Sequence, residues 1–190
     1  MIEELILKNR SCRRYIQDRP VTETTLRSLV DLARLSASAA NLQPLKYVLS
    51  CDGKKNDTIF RTLRWAGYLK EWKGPAVGER PAAYIIIVGD TEITRSFGCD
   101  HGIAAQSILL GAVERGLAGC MVASIDRDML RNNLRLETRY EILLAVALGY
   151  SGEKIVLEKI APSGDIKYWR DGEGAHHVPK RPLDEIIVDR

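Results

Sequence analysis

The 190 residues are enough for one domain with a sizeable core, and a content of 45% hydrophobic and 28% charged residues excludes a disordered chain. Twenty-eight basic against 25 acidic residues give a formal charge of +3 with no long block of one sign, which argues against a nucleic-acid binder. Cys12, Cys51, Cys99 and Cys120 lack the C-x-x-C spacing of zinc or iron–sulfur sites, and neither a signal peptide nor a bilayer-spanning run is visible; the chain reads as a cytoplasmic protein with reduced thiols, and no membrane or nucleic-acid partner is expected.

In chain order, Leu26, Leu29, Val30, Leu32 and Ala33 recur at helical spacing and predict an amphipathic helix over Glu23–Leu35, with Thr22 as its cap. Ser36–Pro44 is small and polar and ends in Gln43-Pro44, which predicts a turn or loop. Leu45–Ser50 reads as a short strand. Ala82–Gly89 reads as a central one, because Tyr84-Ile85-Ile86-Ile87-Val88 is apolar on both faces and needs cover on two sides. Trp72–Pro81 is a loop. Ile103–Leu117 predicts a core helix whose small residues permit close packing, Gly119–Ser124 a strand, Arg127–Leu134 a short helix after Asp126, and Ile142–Tyr150 a third buried strand. Regular periodicity then fades through Lys159–Lys180, and Leu183–Val188 reads as a terminal strand in need of a partner.

Rossmann G-x-G-x-x-G, P-loop, G-x-S-x-G and H-E-x-x-H patterns are all absent, so the usual nucleotide, hydrolase and zinc readings have no support. What stands out is Arg10-Ser11-Cys12-Arg13-Arg14-Tyr15. Planar guanidinium forks beside a hydroxyl suit an anion such as phosphate, although on these residues alone a solvated basic segment is the commoner outcome. Cys12 reads as structural. Trp65, Tyr68 and Trp72 form an aromatic set that either packs or lids a pocket, and neither His176 nor His177 is assigned a role.

Taken together, Arg10-Ser11-x-Arg13-x-Tyr15 and Ser36-Ala37-Ser38-Ala39-Ala40-Asn41-Leu42-Gln43-Pro44 resemble the paired flavin signature of the nitroreductase family. Asn9 replaces an arginine of the first motif; Ala37 and Leu45 replace the proline and tryptophan of the second. The likeness continues through Asp100–Gly119, Gly119-Cys120-Met121-Val122, Ala145–Tyr150 and Lys180–Ile187, and is weakest over Leu63–Arg80.

The resemblance implies an α+β fold: a mostly antiparallel central sheet flanked by helices, formed by one domain over residues 1–190. A tail from about residue 153 onward would carry its C-terminal strand onto the partner of a homodimer. It further implies FMN at the subunit interface. Arg10, Ser11 and Arg13 would face its phosphate and pyrimidine edge, with Arg13 nearest N1 and O2, where a positive charge favours the reduced flavin. Ser38, Asn41 and Gln43 would approach from the other subunit, and Lys180 and Arg181 would close over the phosphate. Gly119 and Cys120 either offer backbone groups to the phosphate or belong to a plain buried strand. The implied activity is transfer of electrons from NADH or NADPH, through FMN, to an electron-poor small molecule such as a nitroaromatic or quinone by a ping-pong mechanism. The alternatives are a related flavoenzyme of reductive dehalogenation or substrate oxidation, and a non-catalytic flavin-binding protein.

Overall fold

The computed structural model describes residues 1–161 and 164–188. Its centre is a four-stranded antiparallel sheet built from β1 (Leu45–Ser50), β2 (Ala83–Asp90), β3 (Ala118–Val122) and β4 (Tyr140–Gly149), in the order β1-β2-β4-β3. The register sets Val48 opposite Ile86, Ile85 opposite Val146 and Cys120 opposite Ala147. Every residue of β2 is buried. Because successive side chains of a strand point to opposite faces, the apolar run of β2 feeds two cores at once. Ile85 and Ile87 pack with Leu26, Leu29 and Ile108 under α2 (Glu23–Arg34) and α4 (Asp100–Glu114); Tyr84 and Ile86 pack with Ile59 and Leu130 under α3 (Gly53–Phe60) and α5 (Arg127–Leu134). The expected α+β architecture, with helices on both faces of an antiparallel sheet, is the one observed.

Local chemistry explains the element ends. The Thr22 hydroxyl, the predicted cap, accepts from Thr25 N at 3.2 Å, and the Asp126 carboxylate accepts from Met129 N at 3.0 Å, so each binds a free amide of the first helical turn. Helix α4 begins three residues before its predicted start and stops ahead of Gly116, whose φ of +72° ends the helical path. At Gly111 a Cβ would come within 2.2 Å of Leu32 Cδ1, so α2 and α4 meet where there is no side chain.

Three features depart from the predicted elements. Helices α1 (Ile2–Lys8) and α3 were not foreseen; α1 buries none of its residues, and α3 is capped by Asp52, which accepts from Lys55 N. The stretch expected to lack regular structure holds a second small sheet, in which β7 (His176–Lys180) lies parallel to β5 (Ile155–Lys159) and antiparallel to β6 (Trp169–Arg170). The terminal strand expected at Leu183–Val188 does not form: Leu183–Glu185 is a single 3-10 turn, and Leu183, Ile186, Ile187 and Val188 are exposed with no neighbouring strand. Residues 162–163 and 189–190 of the expected tail lie outside the described residues.

The small sheet is tied by polar contacts more than by apolar burial. The His177 ring lies between two carboxylates, Nδ1 3.0 Å from Glu158 Oε2 and Nε2 3.1 Å from Asp171 Oδ2, and is stacked under Trp169 at 4.1 Å. The bonds to Asp171 and Glu158 raise the His177 pKa.

Candidate functional site

The segment Arg10–Tyr15 runs along the outer edge of β3. Ser11 bridges to Gly119 in parallel, Cys12 N donates to Gly119 O at 3.0 Å, and Ile16 N donates to Tyr150 O at 2.9 Å. Tyr15 anchors it: its ring is buried and its hydroxyl donates to Cys12 O at 2.6 Å. Burial pushes the Cys12 thiol up to about 12, so it is a packed, protonated side chain and not a nucleophile. Gly119 is a glycine for packing reasons, since a Cβ there would come within 2.4 Å of Leu109 Cδ2 and 2.9 Å of Ala147 O.

Behind the motif stands Glu153, whose side chain is 1% exposed. Its carboxylate accepts from the backbone N of Arg13 and of Arg14 and pairs with Arg170 Nη2 at 2.8 Å. Arg170 in turn lies over the Trp72 ring at 4.4 Å. Tyr168, just ahead of β6, packs at a tilt against Tyr68 at 5.0 Å and against His176 at 5.2 Å, and takes the Arg13 guanidinium over its face at 4.6 Å. The aromatic set at residues 65–72 thus packs in part against the segment that leads into the small sheet, while Trp65 packs on Phe60.

These elements enclose a cavity of about 220 Å³ at the junction of the motif, α4, β3 and β7. Arg10, Ser11, Arg13, Gly119 and Lys180 all line it, together with Gln106, Tyr168 and His176, and no carboxylate of the described residues does. Three cations face it with donors to spare. Arg10 spends Nη2 on Ile6 O, while its Nε is buried without a partner among the described residues; burial lowers the Arg10 pKa. Among the described residues Arg13 Nε and Nη2 and Lys180 Nζ make no hydrogen bond, and none of the three side chains has an ion-pair partner. A cavity with two half-buried arginines and an exposed lysine at its rim, none of them compensated, is a site for an anion.

The second motif builds a separate place. Asp100, buried at the start of α4, accepts from the Ser38 hydroxyl at 2.6 Å and from Ala39 N at 3.0 Å, and Ser38 Oγ accepts from Gln43 N at 2.9 Å. Ala40, Asn41 and Gln43 have φ of 49°, 54° and 51°, a left-handed backbone that residues other than glycine adopt at a cost. Ser38 and Gln43 line a cavity of about 240 Å³ with Tyr47 and Asp100, distinct from the one that holds Arg13. Asn41 is exposed, outside both.

Of the expected site residues, then, Arg10, Ser11, Arg13, Gly119 and Lys180 converge, while Ser38, Asn41 and Gln43 sit elsewhere on the same chain. Cys120 is buried in β3 and borders a smaller cavity with Arg13 and Trp65. Arg181 turns away from the first cavity to pair with Glu185 at 3.2 Å. Glu153, Tyr168 and His176 were not foreseen. The one available signal was the adjacent His176-His177 pair close to Lys180, in a stretch with no apolar period.

The sequence model of the Nitroreductase family matches residues 6–150. Spy0809 of Streptococcus pyogenes, named as a candidate NAD(P)H nitroreductase, is 22% identical over 185 residues, covering 77% of this chain and 88% of its own. The solved structure of a candidate NADH dehydrogenase/NAD(P)H nitroreductase from Parabacteroides distasonis is 27% identical, with a TM-score of 0.66 over 80% of this chain and 88% of that one. A nitroreductase family protein from Streptococcus pneumoniae is 19% identical and superposes over 100% of both chains with a TM-score of 0.71. The NADPH:FMN oxidoreductase of Vibrio harveyi, solved with NAD+, is 22% identical and has a TM-score of 0.65 over 85% of this chain and 74% of its own. The fold, the N-terminal motif seated on β3 and the extent of the family match agree: the chain belongs to the nitroreductase family.

Proposed function

We propose that this protein takes electrons from NADH or NADPH and passes them, through bound FMN, to an electron-poor small molecule such as a nitroaromatic or a quinone, in ping-pong order. Its class, an FMN-dependent oxidoreductase, follows from the family. The observation that carries the reading is the cavity lined by Arg10, Arg13 and Lys180 with no facing acid. Its donor set fits a flavin mononucleotide, which needs cations at its phosphate and a donor at its pyrimidine edge. FMN, when bound, supplies the hydride chemistry. The chain's own residues hold and bias it. Arg10 and Lys180 bind the phosphate, Ser11 offers a hydroxyl beside it, and Arg13 presents its free Nε and Nη2 to the pyrimidine oxygens.

The protein acts as a cytoplasmic homodimer in this reading, with Ser38, Asn41 and Gln43 serving the flavin of the second subunit. Two observations support that. The second motif lies in a different cavity from Arg13 of its own chain, and Ile2, Ile6 and Leu7 of α1, Leu42, Ile103, Met121 and the apolar residues after Pro182 are exposed. No helix of the described residues is long and apolar enough to cross a membrane.

The test is a visible spectrum of the purified protein after FMN loading and desalting, followed by anaerobic NADH and NADPH. Retained flavin that bleaches, then recolours with a quinone after the donor is removed, is the expected result. A protein that retains no flavin refutes the reading. Retained flavin that neither donor reduces would favour the non-catalytic alternative.

A further inference from the structure

The charge on Arg13 is held in place without being neutralised. Its Nη1 makes both of the side chain's hydrogen bonds, to Ser11 O at 3.4 Å and to His176 Nε2 at 3.1 Å, and the guanidinium rests on the Tyr168 ring. None of these partners is an anion. Glu153 is close enough to accept from the Arg13 backbone N, but its carboxylate is occupied by that amide, the Arg14 amide and the Arg170 guanidinium. A carboxylate on Arg13 would cancel its charge, and water alone would leave the fork free to swing. An uncharged imidazole does neither.

The ring's protonation follows from its partner. A guanidinium has only donors, so Nε2 must accept and the single ring proton sits on Nδ1, which is buried and has no partner among the described residues. Burial, with Arg13, Arg170 and His177 around the ring, lowers the His176 pKa to about 4 and keeps it neutral at physiological pH.

We propose that His176 is a positioning residue: as a neutral acceptor it fixes Arg13 toward the cavity and leaves the positive charge free to act on the pyrimidine edge of the bound flavin. The inference rests on the flavin reading above, and adds a member of the small C-terminal sheet to the machinery that tunes the cofactor.

Two measurements test it separately from that reading. The first uses the flavin-free protein: a long-range ¹H–¹⁵N spectrum at pH 7 should show His176 protonated at Nδ1 only, with an Nε2 resonance that moves in Arg13→Ala. A ring protonated at Nε2, or doubly protonated, overturns the proposal. The second uses FMN-loaded protein and reads the dissociation constant and midpoint potential. His176→Glu places a carboxylate on Arg13 and should lower the affinity for reduced relative to oxidised FMN about tenfold, or about 30 mV for a two-electron couple, as Arg13→Ala should. His176→Gln, a neutral acceptor, should stay within about twofold of the parent. If Arg13→Ala shifts the potential and His176→Glu does not, the positioning role is wrong while the flavin reading stands. If Arg13→Ala changes neither affinity nor potential, Arg13 does not face the flavin and this inference falls, whereas the flavin reading itself fails only if the parent protein retains no FMN.

Discussion

Replacing Glu153 by alanine should damage the protein more than any surface carboxylate would. The side chain is 1% exposed, and its loss removes the acceptor of two backbone amides and the counter-charge of Arg170, which is itself only 12% exposed. Breaking a buried ion pair on one side costs about 3–5 kcal/mol, because the remaining charge stays desolvated. The two amides add about 1–3 kcal/mol each if water cannot reach them. Allowing for water entering the space left behind, we expect a total of about 4 kcal/mol. With a urea dependence of about 2 kcal/mol per M, that moves the unfolding midpoint down by about 2 M at fixed protomer concentration. Glu153→Gln keeps an acceptor for the amides and should lose roughly half as much. Glu153→Leu combined with Arg170→Met should recover most of the loss, since no orphan charge then remains. A Glu153→Ala protein within about 0.5 kcal/mol of the parent would refute the reasoning, as additive single and double variants would.

The adjacent histidines should respond to pH in opposite senses. The folded pKa of His176 is lowered to about 4, so its contribution is complete above the unfolded value of about 6.5 and is lost as pH falls toward 4; His176→Gln should flatten the urea midpoint over that range. His177 has a raised folded pKa, chiefly through Asp171, so its contribution is present below about 6.5 and lost as pH rises through the folded value; His177→Gln should remove that alkaline decline, and an unchanged profile would refute the two-carboxylate grip. Gly119→Ala should cost about 1–3 kcal/mol by thermal or urea melting, since the new methyl meets Leu109 and a backbone oxygen of β4. Ser38→Ala should cost about 1–2 kcal/mol and speed hydrogen exchange at the Gln43 amide, which would lose its acceptor; unchanged exchange would show that the loop does not depend on the hydroxyl.

How far the sequence foretold this structure depends on what stabilises each part. Strands β2 and β4 and helix α2 were legible because they are held by apolar burial, which shows as continuous apolar runs in the two strands and as a helical period in α2. Helix α3 was not: it begins at glycine and carries few apolar residues, so its capping by Asp52 had to be seen in place. The small sheet was invisible for the same reason, since its grip is the Glu158–His177–Asp171 contact and the Trp169 stack, neither of which has a period. Leu183–Val188 misled because an apolar run was read as a strand, whereas among the described residues nothing lies beside it to pair with. At the site, Arg10, Ser11 and Arg13 were findable as a linked motif. His176 and Glu153 come from more than 130 residues away, and only the folded chain brings them to Arg13.

The seat of the N-terminal motif on β3 bears on solubility as well as on ligands. Strand β3 is the last of the central sheet, and a bare edge is a template on which another chain can add a strand. The Ser11–Gly119 bridge and the Cys12 amide cover that edge, and Tyr15 pins the cover down. Truncations or substitutions that free residues 10–15 should therefore yield aggregates before they yield a folded, colourless protein. A screen for loss of the proposed flavin site that collects only soluble material would therefore pass over residues 10–15.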